Sequence, residues 1–244
     1  MIEVAVFNHN CNYNAIKLTK EFRKFANTYL VDSGSRFENE EERSQFDSIL
    51  PNVFYCGMLN DIVKHYNSST NTVLFIASDV KVTNSKLILE RASKAFQDPK
   101  IGVYAPSVNK EGSNHPQMRN KKTNGFRDAL FVDGFCFAAR MELLNKIFPI
   151  DLKLNKIGWG VDVYLAYIAL NSNMICVVDD QVKVEHYVGP NNHPNPEKFI
   201  DEAKTQRYLW YKSLSKGARN YNKMASIELF KNQIGAKFFQ MLYR

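Results

Sequence analysis

Four cysteines in 244 residues, Cys11, Cys56, Cys136 and Cys176, are too few and too scattered to staple a fold. None forms a CxxC pair or stands at metal-ligand spacing from a histidine. Cys56, Cys136 and Cys176 lie in apolar runs, which predicts small core side chains in a reducing compartment. No apolar stretch approaches the roughly 20 residues that a membrane-crossing helix needs. The first residues lack a basic region followed by an apolar signal core, so a cytoplasmic location is expected, with at most peripheral contact at the inner face of a membrane. Internal repeats and low-complexity tracts are also lacking. So is a Gly-rich basic phosphate loop, because the strand-like run 2–7 (IEVAVF) is followed by 8–14 (NHNCNYN).

What is present is a globular composition. Hydrophobic residues make up 45% and charged residues 23%, which excludes a largely disordered or collagen-like chain. The length suits one large α/β domain, alone or with a helical appendage. A net charge of +7 suits anionic ligands such as nucleotide diphosphates, or an anionic membrane surface, although a solvated Lys/Arg surface produces the same number. Tyr208, Trp210 and Tyr211 are flanked by the basic residues Arg207 and Lys212, but no RNA-binding motif accompanies them, so they read as packing residues and nucleic acid is not an expected partner.

Strand-like and helix-like segments alternate through the first 105 positions. Runs 2–7, 28–32 (TYLVD), 53–56, 73–77 (VLFIA) and 101–105 read as strands. Ala15, Leu18, Phe22 and Phe25 mark one helix, 59–66 a short second one, and 86–96, with Leu87, Ala92 and Phe96 facing inward, a third. This βαβα order predicts a mostly parallel sheet with helices on both faces. Residues 109–128 are polar, basic and rich in Asn, and read as a long mobile loop. Beyond it are strands 129–133 and 135–139, helices 141–147 and 163–169, and strands 174–178 and 182–186. Residues 189–196 (GPNNHPNP) read as a hinge, giving a domain over 1–188 and a basic helical extension over 189–244.

Acids and one histidine close the apolar runs: Asp32, Asp79, Asp162 in 158–162 (GWGVD), and His186. Charges at the carboxyl ends of such strands point into the crevice where open α/β sheets bind ligands. Asp32 opens 32–35 (DSGS), where it either accepts from a base N–H of a ligand or forms an Asx-turn that caps the next element. Asp79, after a buried strand, suits a divalent cation bridging two phosphates. The competing role, an N-cap, belongs more naturally to Asn84 or Ser85.

With these residues the chain resembles the family 2-like inverting glycosyltransferases of the GT-A fold, from about residue 2 to about residue 188. Asp32–Ser35 is similar to that family's Asp-x-Gly-Ser turn, whose Asp binds the nucleobase, and Asn60 to the Asn of the following helix. Ser78 and Asp79 fall where the family carries Asp-x-Asp, with Ala77 in place of the first acid, which removes one possible metal ligand. The resemblance implies that Asp133 and Gly134 shape the sugar pocket, Trp159 and Gly160 contact the acceptor, and Asp162 is the catalytic base. It also implies that His186 joins Asp79 in holding Mn2+ or Mg2+. The expected reaction moves a sugar, with inversion, from a nucleotide-diphosphate donor to a hydroxyl of a glycan or lipid-linked acceptor. Arg119, Lys121, Lys122 or Arg127 would help by closing over the phosphates.

Two rival functions share these features: a sugar-phosphate nucleotidyltransferase on the same fold, and a non-catalytic nucleotide-sugar-binding module. His65, His115 and His193 read as surface residues. At the far end Met224, Ile227, Phe230, Ile234, Phe238 and Met241 recur at helical spacing. That stripe suits packing on the domain or on a second copy of the chain, and alternatively a peripheral membrane anchor.

Overall fold

A computed structural model describes residues 2–66, 71–109, 115–186 and 195–228. Its centre is a nine-stranded sheet. In chain order the strands are β1 (Ile2–Asn8), β2 (Thr28–Ser33), β3 (Ser48–Leu50), β4 (Thr72–Ala77), β5 (Val80–Lys81), β6 (Ile101–Val108), β7 (Phe126–Ala129), β8 (Cys136–Arg140) and β9 (Ile175–His186). They are ordered β3-β2-β1-β4-β8-β6-β9-β5, with β7 also on β9. The pairings of β1 with β2 and β4, of β2 with β3 and of β6 with β9 are parallel, while β5, β7 and β8 run against their neighbours. β1, β4 and β6 are buried on both faces, so they read in the sequence as unbroken apolar runs.

Helices α1 (Asn12–Phe22), α3 (Phe54–Tyr66), α4 (Ser85–Ala95), α5 (Met141–Leu144) and α6 (Val161–Asn171) pack on the sheet, while the short α2 (Glu40–Arg43), between β2 and β3, buries no residue. α1 buries Ala15, Leu18 and Phe22, but ends at Phe22 and leaves Phe25 exposed. α4 starts at the Asn84 cap, whose side chain accepts from the Leu87 amide, and turns Ile88, Leu89, Ala92 and Ala95 inward, with Leu87 and Phe96 only half-buried.

The expected strand over 53–56 is the first turn of α3. The actual strand, β3, comes before Pro51, and Cys56, Leu59, Ile62, Val63 and Tyr66 recur at helical spacing to bury one face of α3. The two strands expected over 174–178 and 182–186 are one strand, β9. Its register against β6 slips between Pro106↔Asp179 and Ser107↔Lys183, a bulge that accommodates two buried acids. Asp179 receives Nε and Nη2 of Arg91 at 2.8 and 2.9 Å, and Asp180 receives Nε and Nη2 of Arg127 at 2.8 and 2.9 Å.

That second pair also corrects the reading of 109–128 as a mobile loop. Its described part, from 115 onward, holds a 3-10 turn (Pro116–Met118), a buried Met118 and strand β7. Arg127 Nη2 donates to the carbonyls of Gln117 and Arg119 as well, at 3.1 and 3.0 Å. Arg127 is therefore committed to Asp180 and to the loop's own backbone rather than to a ligand.

Helices α7 (Pro196–Ser213) and α8 (Lys216–Glu228) follow. Trp210, Tyr211, Tyr221 and Ala225 join the main core, and the Tyr221 hydroxyl donates to the Leu130 carbonyl at 2.7 Å. Trp210 and Tyr211 are thus packing residues, while Tyr208 is exposed. No described helix is long and apolar enough to cross a membrane. The 189–196 hinge lies outside the described residues up to 194; Asn195 caps α7 and Pro196 begins it. Of the C-terminal stripe, Met224 is half-buried on α8, and the positions from 230 onward lie outside the described residues.

Burial acts to raise the pKa of Asp180, but its bonds from Arg127 and Thr123 outweigh this and hold it below the usual carboxylate range. Replacement Arg127→Ala leaves that carboxylate unpaired and is expected to cost about 3 kcal/mol in urea unfolding at neutral pH. Because the Asp180 pKa is depressed in the folded state, the loss is full above the unfolded carboxylate value and shrinks as the pH falls below about 4. Equal stabilities of the two proteins at neutral pH would show that the pair does not anchor the loop.

Candidate active site

β4 ends at Ala77 and the chain turns immediately into β5, which pairs antiparallel with the end of β9 in the register Val80↔His186. This register sets Asp79 beside His186, with Oδ2 3.4 Å from Nε2. The Asp79 side chain is 52% exposed and that of His186 only 12%. The His186 ring stacks on Phe135, centroids 4.1 Å apart and planes 14° from parallel, and the His186 amide donates to Asn109 Oδ1 at 3.1 Å. The imidazole is therefore held in place while the carboxylate faces solvent. Neighbouring ligands of an octahedral Mg2+ lie roughly 3 Å apart, so these two side chains fit a divalent cation with little movement.

Asp133, two residues before Phe135, belongs to a second group. One oxygen each of Asp133 and Asp162 and a ring nitrogen of His115 lie within 4.8 Å of one another. His115 Nε2 is 4.0 Å from Asp133 Oδ2, and its ring packs edge-on against Phe131. These three residues also have the donor types of a metal site. Asp162 stands in the first turn of α6 and accepts from the Val163 amide at 2.8 Å. Burial, and then the nearby Asp133 charge, push its pKa up to about 6, against the opposing pull of His115, the Val163 N–H and Arg207. A carboxyl poised there switches between acid and base near neutrality.

The turn that delivers Asp162 is shaped by two glycines. Gly158 and Gly160 have φ of +94° and +88°, and a Cβ would lie 2.3 Å from Tyr55 Cδ1 at the first and 2.7 Å from Tyr211 Cε2 at the second. Polar contacts hold the rest. Buried Asn155 accepts from the Gly158 amide at 2.8 Å and donates to the Trp159 carbonyl at 3.2 Å. Gln206 Oε1 on α7 accepts from the amides of Lys156 and Ile157 at 3.0 and 3.1 Å, and the Tyr211 hydroxyl donates to the Gly160 carbonyl at 2.8 Å. Trp159, so fixed, remains 37% exposed. On the other side the Tyr55 hydroxyl donates to the Gly134 carbonyl at 2.8 Å.

One cleft of about 440 Å³ brings together Asp79, Asp133, Trp159, Gly160, Asp162 and His186. The remaining expected site residues are elsewhere. Asp32 is fully buried and accepts from Asn8 Nδ2 at 2.8 Å, from the Ser35 amide at 2.9 Å and from the Ser35 hydroxyl. Asn60 spends its amide on Ile150, donating to its carbonyl at 2.9 Å and accepting from its N–H at 2.8 Å, and lines a different cavity. Ser78 is buried, and its amide donates to the Phe7 carbonyl at 3.0 Å.

Sequence reasoning did not find Tyr55, His115, Phe135, Phe199 or Arg207, all of which line the cleft. His115, expected at the surface, is half-buried beside Asp133. Arg207 is one of several basic residues on an exposed helix. His65 stacks on Tyr29, and His193 lies outside the described residues.

No protein-family model matches the sequence, and no curated protein matches it. Solved structures do match. GalNAc-T7 with UDP, GalNAc and Mn2+ is similar at a TM-score of 0.62 and 13% identity, over 100% of this chain and 53% of that one. Glucosyl-3-phosphoglycerate synthase from Mycobacterium tuberculosis with Mg2+ and UDP is similar at 0.52 and 13%, over 86% and 76%. The same synthase with Mn2+, UDP-glucose and glycerol 3-phosphate is similar at 0.52 and 13%, over 86% and 77%. The architecture is the GT-A fold of these glycosyltransferases.

The Asp162 environment makes a stability prediction. Its folded-state pKa lies above that of an unfolded Asp, so ionisation costs stability, a cost absent below pH 4 and complete above about pH 6. Asp162→Asn should therefore melt higher than the parent at about pH 8, by about 2–4 °C for each kcal/mol relieved, and no higher near pH 4. A variant that melts lower at both values would contradict the assigned environment.

Proposed function

We propose that the protein is an inverting glycosyltransferase that moves a sugar from a nucleotide-diphosphate donor, of the uridine type, to a hydroxyl of a saccharide or lipid-linked acceptor. The observation that carries the proposal is the placing of Asp162, with its raised pKa, in the same cleft as the Asp79–His186 pair. The UDP-, Mg2+- and Mn2+-bound structures that share the fold support the donor class and the cation.

Asp79 and His186 would hold the cation, which supplies charge neutralisation to the leaving diphosphate when bound. With only two side chains contributing and Ala77 offering none, the cation would need further oxygen ligands from phosphate and water. Asp162 takes the proton from the acceptor hydroxyl as that oxygen attacks the anomeric carbon from the face opposite the departing diphosphate, which inverts the centre. Asp133 accepts hydrogen bonds from sugar hydroxyls and sets the charge that Asp162 experiences. Trp159 offers an apolar face to the acceptor ring. The tight turn at Gly158 and Gly160 keeps the base within reach of that ring.

Asp162→Asn is expected to leave UDP binding intact and to lower sugar transfer roughly 100-fold or more. In the parent enzyme transfer should rise with pH through a limb near pH 6, where Asp162 loses its proton. Near-parental turnover by the variant, or a parent profile flat between about pH 5 and pH 7, would remove Asp162 from the role. For the donor end, Asp79→Ala and His186→Ala should weaken binding of UDP in Mn2+ far more than binding of uridine. Equal weakening of both would place these side chains against the nucleoside.

A further inference from the structure

Arg207 is the cation of the cleft that the proposed mechanism does not use. It projects from α7 against the Trp159–Gly160 turn, so close that a Cβ on Gly160 would lie 3.2 Å from its Nε. Its fixed partners are neutral. Nε donates to Asn222 Oδ1 at 3.2 Å, and Nη2 donates to the same oxygen and to Ser226 Oγ at 3.2 Å. These bonds orient the guanidinium without compensating its charge. No carboxylate among the described residues lies within ion-pair distance, and Nη1 has no hydrogen-bond partner among them, although the residue lines the cleft.

A guanidinium half-removed from water whose Nη1 N–H groups have no partner among the described residues is a receptor for an oxyanion, because a charge-assisted N–H···O bond to a carboxylate or phosphate is stronger than one to a neutral acceptor. The neighbours of Arg207 are those of the acceptor side: Trp159, whose ring is open to the cleft, and Asp162. Asp79 and His186 approach the cleft from the β5–β9 pairing instead.

We propose that Arg207 binds an anionic substituent of the acceptor, so that the acceptor is an acidic saccharide carrying a carboxylate or a phosphate. This rests on the glycosyltransferase reading for the word acceptor, but the anion site is measurable on its own.

The test is calorimetric titration of the full chain with glucose, glucuronate and glucose 6-phosphate, for the parent, Arg207→Gln and Arg207→Lys, with UDP in Mn2+ titrated in parallel. At least one of the two acids should bind the parent roughly tenfold or more tighter than glucose, the acid that binds naming the oxyanion. Arg207→Gln should abolish the preference, Arg207→Lys should keep part of it, and UDP binding should stay within about twofold throughout. Added salt should weaken the acids and spare glucose, a measurement on the parent that decides the matter if a variant fails to fold. Glucose binding as tightly as both acids, a preference that survives Arg207→Gln, or parallel loss of UDP binding in that variant would each overturn the proposal. A parent that prefers the acids but ignores UDP and UDP-sugars would overturn the transferase reading and leave the anion site standing.

Discussion

Both ends of the cleft hang on the short segment between β7 and β8. The Ala77 amide, at the end of β4, donates to the Phe135 carbonyl at 2.7 Å, which ties the segment to the last residue of a buried strand. The Phe135 ring then stacks on His186, fixing the imidazole beside Asp79. Two residues earlier Asp133 sits beside Asp162 and His115 and contributes to the raised pKa of Asp162. A shift of this segment would move His186 and change the charge around Asp162 together, which makes it a mechanical and electrostatic link between the two proposed chemistries.

The link is rigid because aromatic side chains fill the space behind it. Tyr55 lies between Gly134 and Gly158, close enough that a Cβ at either would come within 2.5 Å of its side-chain atoms. At Gly160 a Cβ would lie 2.7 Å from Tyr211 Cε2. The glycines are thus the places where the walls of the cleft approach aromatic rings more closely than any side chain permits. α7 participates directly, through Gln206 and Tyr211, so the turn that carries Asp162 depends on a helix that the sequence pattern assigns to an extension.

Much of the sheet is legible in the sequence because its central strands are buried on both faces. Continuous β-branched and aromatic runs at β1, β2, β4 and β6 leave little choice of element. Legibility fails where an apolar run is short or interrupted: Val53 to Cys56 belongs to a helix entry, and Asp179 and Asp180 break a strand pattern that half-buried arginines repair. The strand-end acids behave differently from one another for a similar reason. Asp79 and His186 meet because β5 pairs with β9, a register that no local pattern announces. Asp32 has the same kind of strand-end position, and its oxygens accept from Asn8 and Ser35. Arg207 and His115 were illegible because their chemistry comes wholly from long-range packing.

Two constellations in the cleft have the chemistry to hold a cation, and the account assigns them different tasks. In the proposed mechanism Asp79 and His186 would take the cation and the diphosphate, while Asp162, beside Asp133 and His115, would stay free to accept a proton. Anomalous scattering from crystals grown with UDP and Mn2+ tests this division most directly. The account predicts a single manganese peak bonded to His186 Nε2 and an Asp79 oxygen. A peak enclosed by His115, Asp133 and Asp162 would make Asp162 a ligand and contradict its role as the base.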